Sequence, residues 1–353
     1  MCNILWTQIS SGTRFIKTIL EELTSQNNII LEVSDCFPWY TTFREELEQK
    51  IRHDDSIRIM EHVNSPANNV GEFLLEKYCE EKEINGYRPT VSICEYLASN
   101  NVTSFRNYYF WIHGLTELNK EEWIKFISSY VKSCGSSRDR AIFIIEAEKN
   151  LLPMQKLKGL KWLDFNNFFS KFDIYTYAII RSGNLQINDV IKEYLSELLC
   201  SVCIDLELID CCINEFNDFL YSTYDTLSKI CENEVRENGL SFYTPVTKSH
   251  NSIKKIWIAQ IKAVFPLLEQ KRLRFIETYI REIEKILPIE TPYGSFINNP
   301  IEVEWGMLSY IVYKYGILSK HSTLINLYKD ARNILAHGDV MSFEMIQNVV
   351  NNY

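Results

Sequence analysis

Long apolar runs are missing from this chain. No stretch of about 18 residues, the length a helix needs to cross a bilayer, is free of charged side chains, and no basic N-terminal segment precedes an apolar core. Both absences lead to the expectation of a soluble cytoplasmic protein without membrane association. Positive charge is also short. The 37 Lys and Arg stand against 46 Asp and Glu, a net charge of −9. That balance excludes a general nucleic-acid coat and leaves any RNA contact to a local basic patch. Metal-knuckle spacing is absent too. Of ten cysteines, Cys200, Cys203, Cys211 and Cys212 fall in one apolar stretch with no nearby histidine. They read as buried, reduced core thiols, so neither a metal nor a cofactor is expected. No fixed-period repeat or low-complexity tract appears.

What is present is ample material for packed cores: 353 residues, 46% hydrophobic and 13% aromatic, enough for two domains. Residues 1–150 alternate helix-like and strand-like segments. Thr13 to Leu23 carries an apolar stripe at helical spacing, and Asn28 to Val33 is a compact apolar run. Helical spacing recurs in Thr41 to Ile51, and Ser56 to Val63 reads as a second strand. Tyr108 to Leu115 and Ala141 to Ile145 are continuously apolar, which implies strands buried on both faces, as in a parallel sheet. A helix from Glu121 to Lys132 separates them. The pattern predicts a doubly wound, mostly parallel α/β sheet. His113, at the end of the strongest strand, is placed with Asp35, Glu61 and Glu146 at the sheet edge where ligands gather. Loop polarity at strand ends, which every sheet shows, is the favoured reading of these residues.

The order of elements resembles a P-loop ATPase core, with Ser10 to Lys17 at the place of the phosphate loop, between a first short strand and a helix. That segment has one glycine and no Gly-Lys-Ser/Thr, and no Asp-Glu pair ends the strand Phe110 to His113. ATPase activity is therefore not expected. Residues 151–185 form an unusually aromatic connection, and residues 186–353 read as helix almost throughout. Helices are predicted over Val190 to Cys203, Leu206 to Tyr221, Leu227 to Glu237, Ser252 to Phe265, Leu267 to Leu287, Ile301 to Tyr315, His321 to Ala336 and Ser342 to Asn351. Short connections imply an antiparallel bundle.

Near the C-terminus runs Arg332-Asn-Ile-Leu-Ala-His337-Gly338. Leu324, Leu327, Ala331 and Leu335 give its helix an apolar face, and Gly338 suits a left-handed C-cap. Arg332 faces the same groove as His337 if the helix end unwinds. This segment resembles the R-x4–6-H motif of HEPN domains. The resemblance implies a small antiparallel helical bundle in which two protomers join their motifs into one ribonuclease site. It further implies metal-independent cleavage to a 2′,3′-cyclic phosphate and a 5′-OH, with Arg332, Asn333 and His337 as the catalytic residues. Lys271, Arg272 and Arg274 are the densest basic cluster and the candidate RNA-binding residues. Two functions follow as expectations. One is a regulated endoribonuclease, similar to prokaryotic defence and toxin effectors, acting as a homodimer. The other is a catalytically inactive adaptor that binds a partner protein or nucleic acid.

Overall fold

In the computed structural model the chain divides into two compact units, Met1–Asp173 and Ile174–Tyr353. The structure describes residues 4–55, 57–64, 69–151, 159–203, 205–242, 250–291 and 294–352.

The first unit is built on five strands: β1 (Asn28–Glu32), β2 (Ile59–Asn64), β3 (Tyr108–His113), β4 (Ile142–Ala147) and β5 (Leu160–Asp164). They lie in the order β2-β3-β4-β1-β5, with every pairing parallel. Around them run α1 (Ser10–Thr24), α2 (Tyr40–Asp54), α3 (Val70–Tyr78), α4 (Ile93–Ala98) and α5 (Lys120–Cys134). β4 is buried along its whole length, which explains the apolar run Ile142 to Ile145. Side chains alternate between faces. Phe110, Ile112, Phe143 and Ile145 pack with Leu74 of α3, Leu97 of α4 and Ile127 of α5. On the opposite face Trp111, Ile144 and Leu31 are equally buried. Each large apolar side chain removed from water contributes about 1.5–3 kcal/mol, so these two layers are the main source of the unit's stability.

Three expectations change here. Ser10 to Lys17 is not a loop after a strand. It lies within α1, behind a short helix Ile4–Thr7, and the first strand begins only at Asn28. Gly12 serves the contact between these helices: a Cβ there would stand 2.0 Å from the Leu5 carbonyl oxygen. The turn that follows the first strand is 33–39. The aromatic stretch 151–185 supplies the sheet's fifth strand, because Leu160 to Asp164 pairs with β1. The second strand starts at Ile59 and includes Asn64, while Ser56 lies outside the described residues.

The second unit is helical. It contains α6 (Asp189–Val202), α7 (His250–Ala263), α8 (Phe265–Thr278), α9 (Trp305–Tyr315), α10 (Ser322–Ala336) and α11 (Phe343–Asn351), with shorter helices between. α6 packs on α7, and α10 packs on α8, α9 and α11. Pro266 stands in the first turn of α8 and marks the boundary with α7, as suits a residue whose missing N–H is not needed there. The helix expected over Leu206 to Tyr221 is broken at Glu215, and that expected over Leu227 to Glu237 runs instead from Thr223 to Asn233. Leu267 to Leu287 likewise ends in two pieces, Phe265–Thr278 and Ile280–Glu284. A small antiparallel ribbon, β6 (Ile289–Glu290) with β7 (Phe296–Ile297), interrupts the helices.

Candidate functional site

α10 runs through Arg332 and Asn333 and ends as its sequence suggests. His337 is the C-cap, with near-helical φ −87° and ψ −1°. Gly338 follows at φ +85°. Asp339 N–H donates to the Ile334 carbonyl at 3.0 Å and Gly338 N–H to that of Leu335 at 3.2 Å. This pair of bonds is a Schellman closure, and its left-handed position favours glycine. The unwinding expected before His337 does not occur. His337 N–H still donates to the Asn333 carbonyl at 3.0 Å. At roughly 100° per residue, Asn333 and His337 share a face, whereas Arg332 lies about 140° from His337 around the axis. Tyr328, Ala331 and Leu335 are buried on the core side. His337 is exposed. Arg332 Nη2 donates to Glu304 Oε2 at 2.9 Å, in an ion pair that keeps considerable solvent contact. One chain therefore offers the arginine and the histidine in different directions.

Helix geometry splits the basic cluster. Arg272 is bound into its own unit: Nε meets Glu269 at 2.9 Å, and Nη1 donates to the carbonyls of Ile301 and Val303 at 2.8 and 3.1 Å. Lys271 and Arg274, three residues apart, line a cavity of about 140 Å³ with Thr278, Tyr279, His321 and Tyr328. Lys271 donates to the Asn352 carbonyl and lies 5.4 Å from the Tyr328 ring centre. Burial, then neighbouring Arg274, hold Lys271 below the usual lysine range. His321 was not singled out from the sequence.

At the C-terminal edge of the sheet a second constellation forms in the first unit. Glu146, on β4, is buried. It accepts from Trp111 Nε1 at 2.7 Å, from Arg44 Nε at 3.2 Å and from the Tyr40 hydroxyl, and His113 Nδ1 lies 2.8 Å away. His113 Nε2 is 2.8 Å from His62 Nδ1, and His62 Nε2 is 3.3 Å from Glu48. Burial, then the Glu146 charge, push the Tyr40 phenol far above its usual range, so it donates and stays protonated. The sequence brought His113 and Glu146 to one edge, and the structure joins them. Glu61 does not take part. It pairs with Phe110, so the alternation of β2 turns it from the face that carries His62. Asp35 is exposed in the turn after β1. His62, Arg44 and Tyr40 were missed, although the shared parity of Trp111 and His113 marks the face they join.

Among the described residues, no group of three or more His, Cys, Asp and Glu is arranged to hold a metal ion. The described cysteines are free thiols, and Cys94, Cys203 and Cys212 are buried. No described helix is long and apolar enough to cross a membrane. Compared with known proteins, the sequence matches no family model and no curated protein.

Proposed function

We propose that the helical unit is a HEPN-type ribonuclease module whose active centre is completed by a second copy of the chain. The observation that carries this reading is the exposed, capped end of α10, where His337 points away from its own core and Arg332 stands at the edge of it. Two such ends facing each other bring the arginine of one copy to the histidine of the other. RNA carries its own nucleophile, the 2′-OH, and needs only proton transfer and charge stabilisation at the adjacent phosphate. His337 takes the 2′-OH proton or protonates the 5′-oxygen that leaves, since an imidazole can both accept and donate a proton. Arg332 donates in a fork to the phosphate oxygens as their charge grows. Asn333, on the face of His337, orients the phosphate. The bonds balance: the 2′-oxygen forms a new bond to phosphorus, the bond to the 5′-oxygen breaks, and one proton passes from the former to the latter. The products are a 2′,3′-cyclic phosphate and a 5′-OH.

The test uses single-stranded RNA labelled at its end, in EDTA, with the wild-type chain and its Arg332→Ala and His337→Ala variants. Loss of a positioned acid–base group costs roughly 10²–10⁴-fold in rate. Cleavage is therefore expected from the wild type alone, with specific activity rising with protein concentration as copies pair. Absence of cleavage at every concentration, or equal cleavage by His337→Ala, overturns the reading. A second reading has its own observation. Glu304 already engages Nη2 of the Arg332 guanidinium, which favours an inactive adaptor whose helical unit binds a partner. Failure of cleavage by both the wild type and a Glu304→Gln variant supports that alternative.

A further inference from the structure

The cavity between α8 and α10 combines an apolar wall, Phe275, Trp305 and Leu324, with two cations, Lys271 and Arg274, and with His321, and has no carboxylate among its described lining residues. His321 Nε2 is buried there and has no hydrogen-bond partner. The imidazole is held in place by rings, 4.7 Å from Tyr279 and 5.5 Å edge-on from Phe275 between centres. A buried polar nitrogen without a partner is costly, and native proteins keep few of them unless a bound group supplies the bond. What surrounds this one is positive. Burial, then Lys320, hold His321 below the usual histidine range. A neutral imidazole fits that environment, and in the tautomer that carries its proton on Nε2 it donates one hydrogen bond.

We propose that this cavity is a phosphate-binding site, in which Arg274 and Lys271 neutralise the anion and His321 Nε2–H donates to one of its oxygens. Three features converge on that ligand class. The charge of the lining is positive in a chain whose net charge is −9. Its donors are a guanidinium, an ammonium, a hydroxyl and an imidazole N–H, which suit the several acceptor oxygens of a phosphate. Its size, about 140 Å³, admits a phosphate group while leaving the larger part of any attached molecule outside. Lys271 keeps its bond to the Asn352 carbonyl, and an ammonium has three donors to share. Tyr279, partly exposed at the rim, offers a ring against which an attached base can stack.

Tyr328 lies four residues, about 6 Å of helix rise, before Arg332, so a phosphate here can belong to a strand that continues toward the motif or to a free nucleotide. The site stands whether or not Arg332 and His337 cleave RNA. The experiment titrates the full chain calorimetrically with inorganic phosphate, AMP, adenosine and a short oligo(A) RNA. The same titrations are made on Arg274→Gln and on His321→Phe, which keeps a ring among the rings but removes the nitrogen. Binding of phosphate and AMP but not adenosine, weakened about ten-fold or more in both variants, is expected. His321→Phe is also expected to melt above the wild type without phosphate, because the unpartnered nitrogen is gone, and to lose the phosphate-dependent rise in melting temperature. A merely structural histidine would not separate these two readouts. Tighter binding of oligo(A) than of AMP identifies a strand as the source, and the reverse identifies a free nucleotide. No phosphate binding up to ~10 mM, or equal binding by wild type and both variants, overturns the proposal. These titrations read binding and need no cleavage, so failure of the nuclease reading and failure of this one are told apart.

Discussion

The two units treat their polar residues in opposite ways. At the sheet edge, Glu146 gathers Trp111, Arg44, Tyr40 and His113, and each donor is used by another residue of the same unit. In the helical unit, two cations and an unpartnered imidazole nitrogen face a cavity, and an exposed histidine ends the neighbouring helix. A buried charge is tolerable only when paired and bonded. The first arrangement therefore satisfies itself and holds a fold together. The second leaves the buried His321 Nε2 without a partner and suits binding. Position at the ligand-gathering edge of a parallel sheet is not enough to make a site; what matters is whether the polar groups there are already spoken for.

The largest expected effect comes from opening the closed network. Glu146→Ala strands the Trp111 N–H, the Tyr40 hydroxyl and the Arg44 guanidinium beneath the sheet edge. Removing one partner of a buried ionic group costs about 3–5 kcal/mol. The first unit should lose that much in urea unfolding, whereas phosphate binding by the helical unit should be unchanged. Glu146→Gln, which keeps the shape, should cost less. A loss of under about 1 kcal/mol for Glu146→Ala would mean that the network is not structural, and the contrast with the cavity would collapse.

A second carboxylate in the same unit sharpens the contrast through pH. Glu83 is buried. It accepts from the Thr103 N–H at 2.7 Å, the Glu80 N–H at 3.0 Å, the Ser104 N–H at 3.2 Å and the Ser104 hydroxyl. Burial acts to raise its pKa, but the Ser104 hydroxyl and then the backbone donors outweigh it and hold the carboxyl down at about 2, from an ordinary 4.5. Below its unfolded pKa the unfolded chain binds the proton that the folded chain refuses. Stability is therefore present in full above pH 4.5 and falls as pH drops toward 2. The contribution is on the order of 3 kcal/mol. Glu83→Gln should remove most of it at pH 7 and flatten the acid limb of the unfolding profile between those two values. An unchanged acid limb would show that Glu83 is not the group responsible.

Much of this architecture can be read in the chain, and what cannot has physical reasons. The strands Asn28 to Glu32, Tyr108 to His113 and Ile142 to Ala147 are legible because burial on both faces demands apolar runs, here Ile29 to Leu31, Tyr108 to Ile112 and Ile142 to Ile145. Leu160 to Asp164 is not, because it is an edge strand with Lys161 and Trp162 exposed and no alternation to betray it. The cap at Gly338 is legible, since glycine after an apolar stripe has one common use. The direction of Arg332 is not. A five-residue spacing matches no helical face, and only the cap geometry shows that the helix persists through His337. The phosphate cavity is the least legible feature. His321 comes from a segment distant from Lys271 and Arg274, and nothing in its local sequence says that its imidazole nitrogen will be left without a partner.

The smallest expected effect on stability tests the open side of the comparison. Arg332 and Glu304 form a solvent-exposed pair at 2.9 Å, and such pairs contribute about 0–1 kcal/mol because solvent screens them and two long side chains must be ordered. Glu304→Gln should therefore leave the unfolding midpoint almost where it was, in contrast to Glu146→Ala. Its effect should appear in function instead. With the carboxylate gone, the guanidinium is released toward an incoming phosphate, and RNA cleavage by the paired chains should rise several-fold while Arg332→Ala abolishes it. Parallel melting curves and cleavage rates for the two variants decide the matter. If Glu304→Gln destabilises the helical unit as much as Glu146→Ala destabilises the other, Arg332 is a structural residue like Arg44. The α10 terminus would then be closed in the same way as the sheet edge. If stability holds and the rate rises, Glu304 acts as a stand-in for the substrate's anion, and the terminus is open in the sense that the phosphate cavity is.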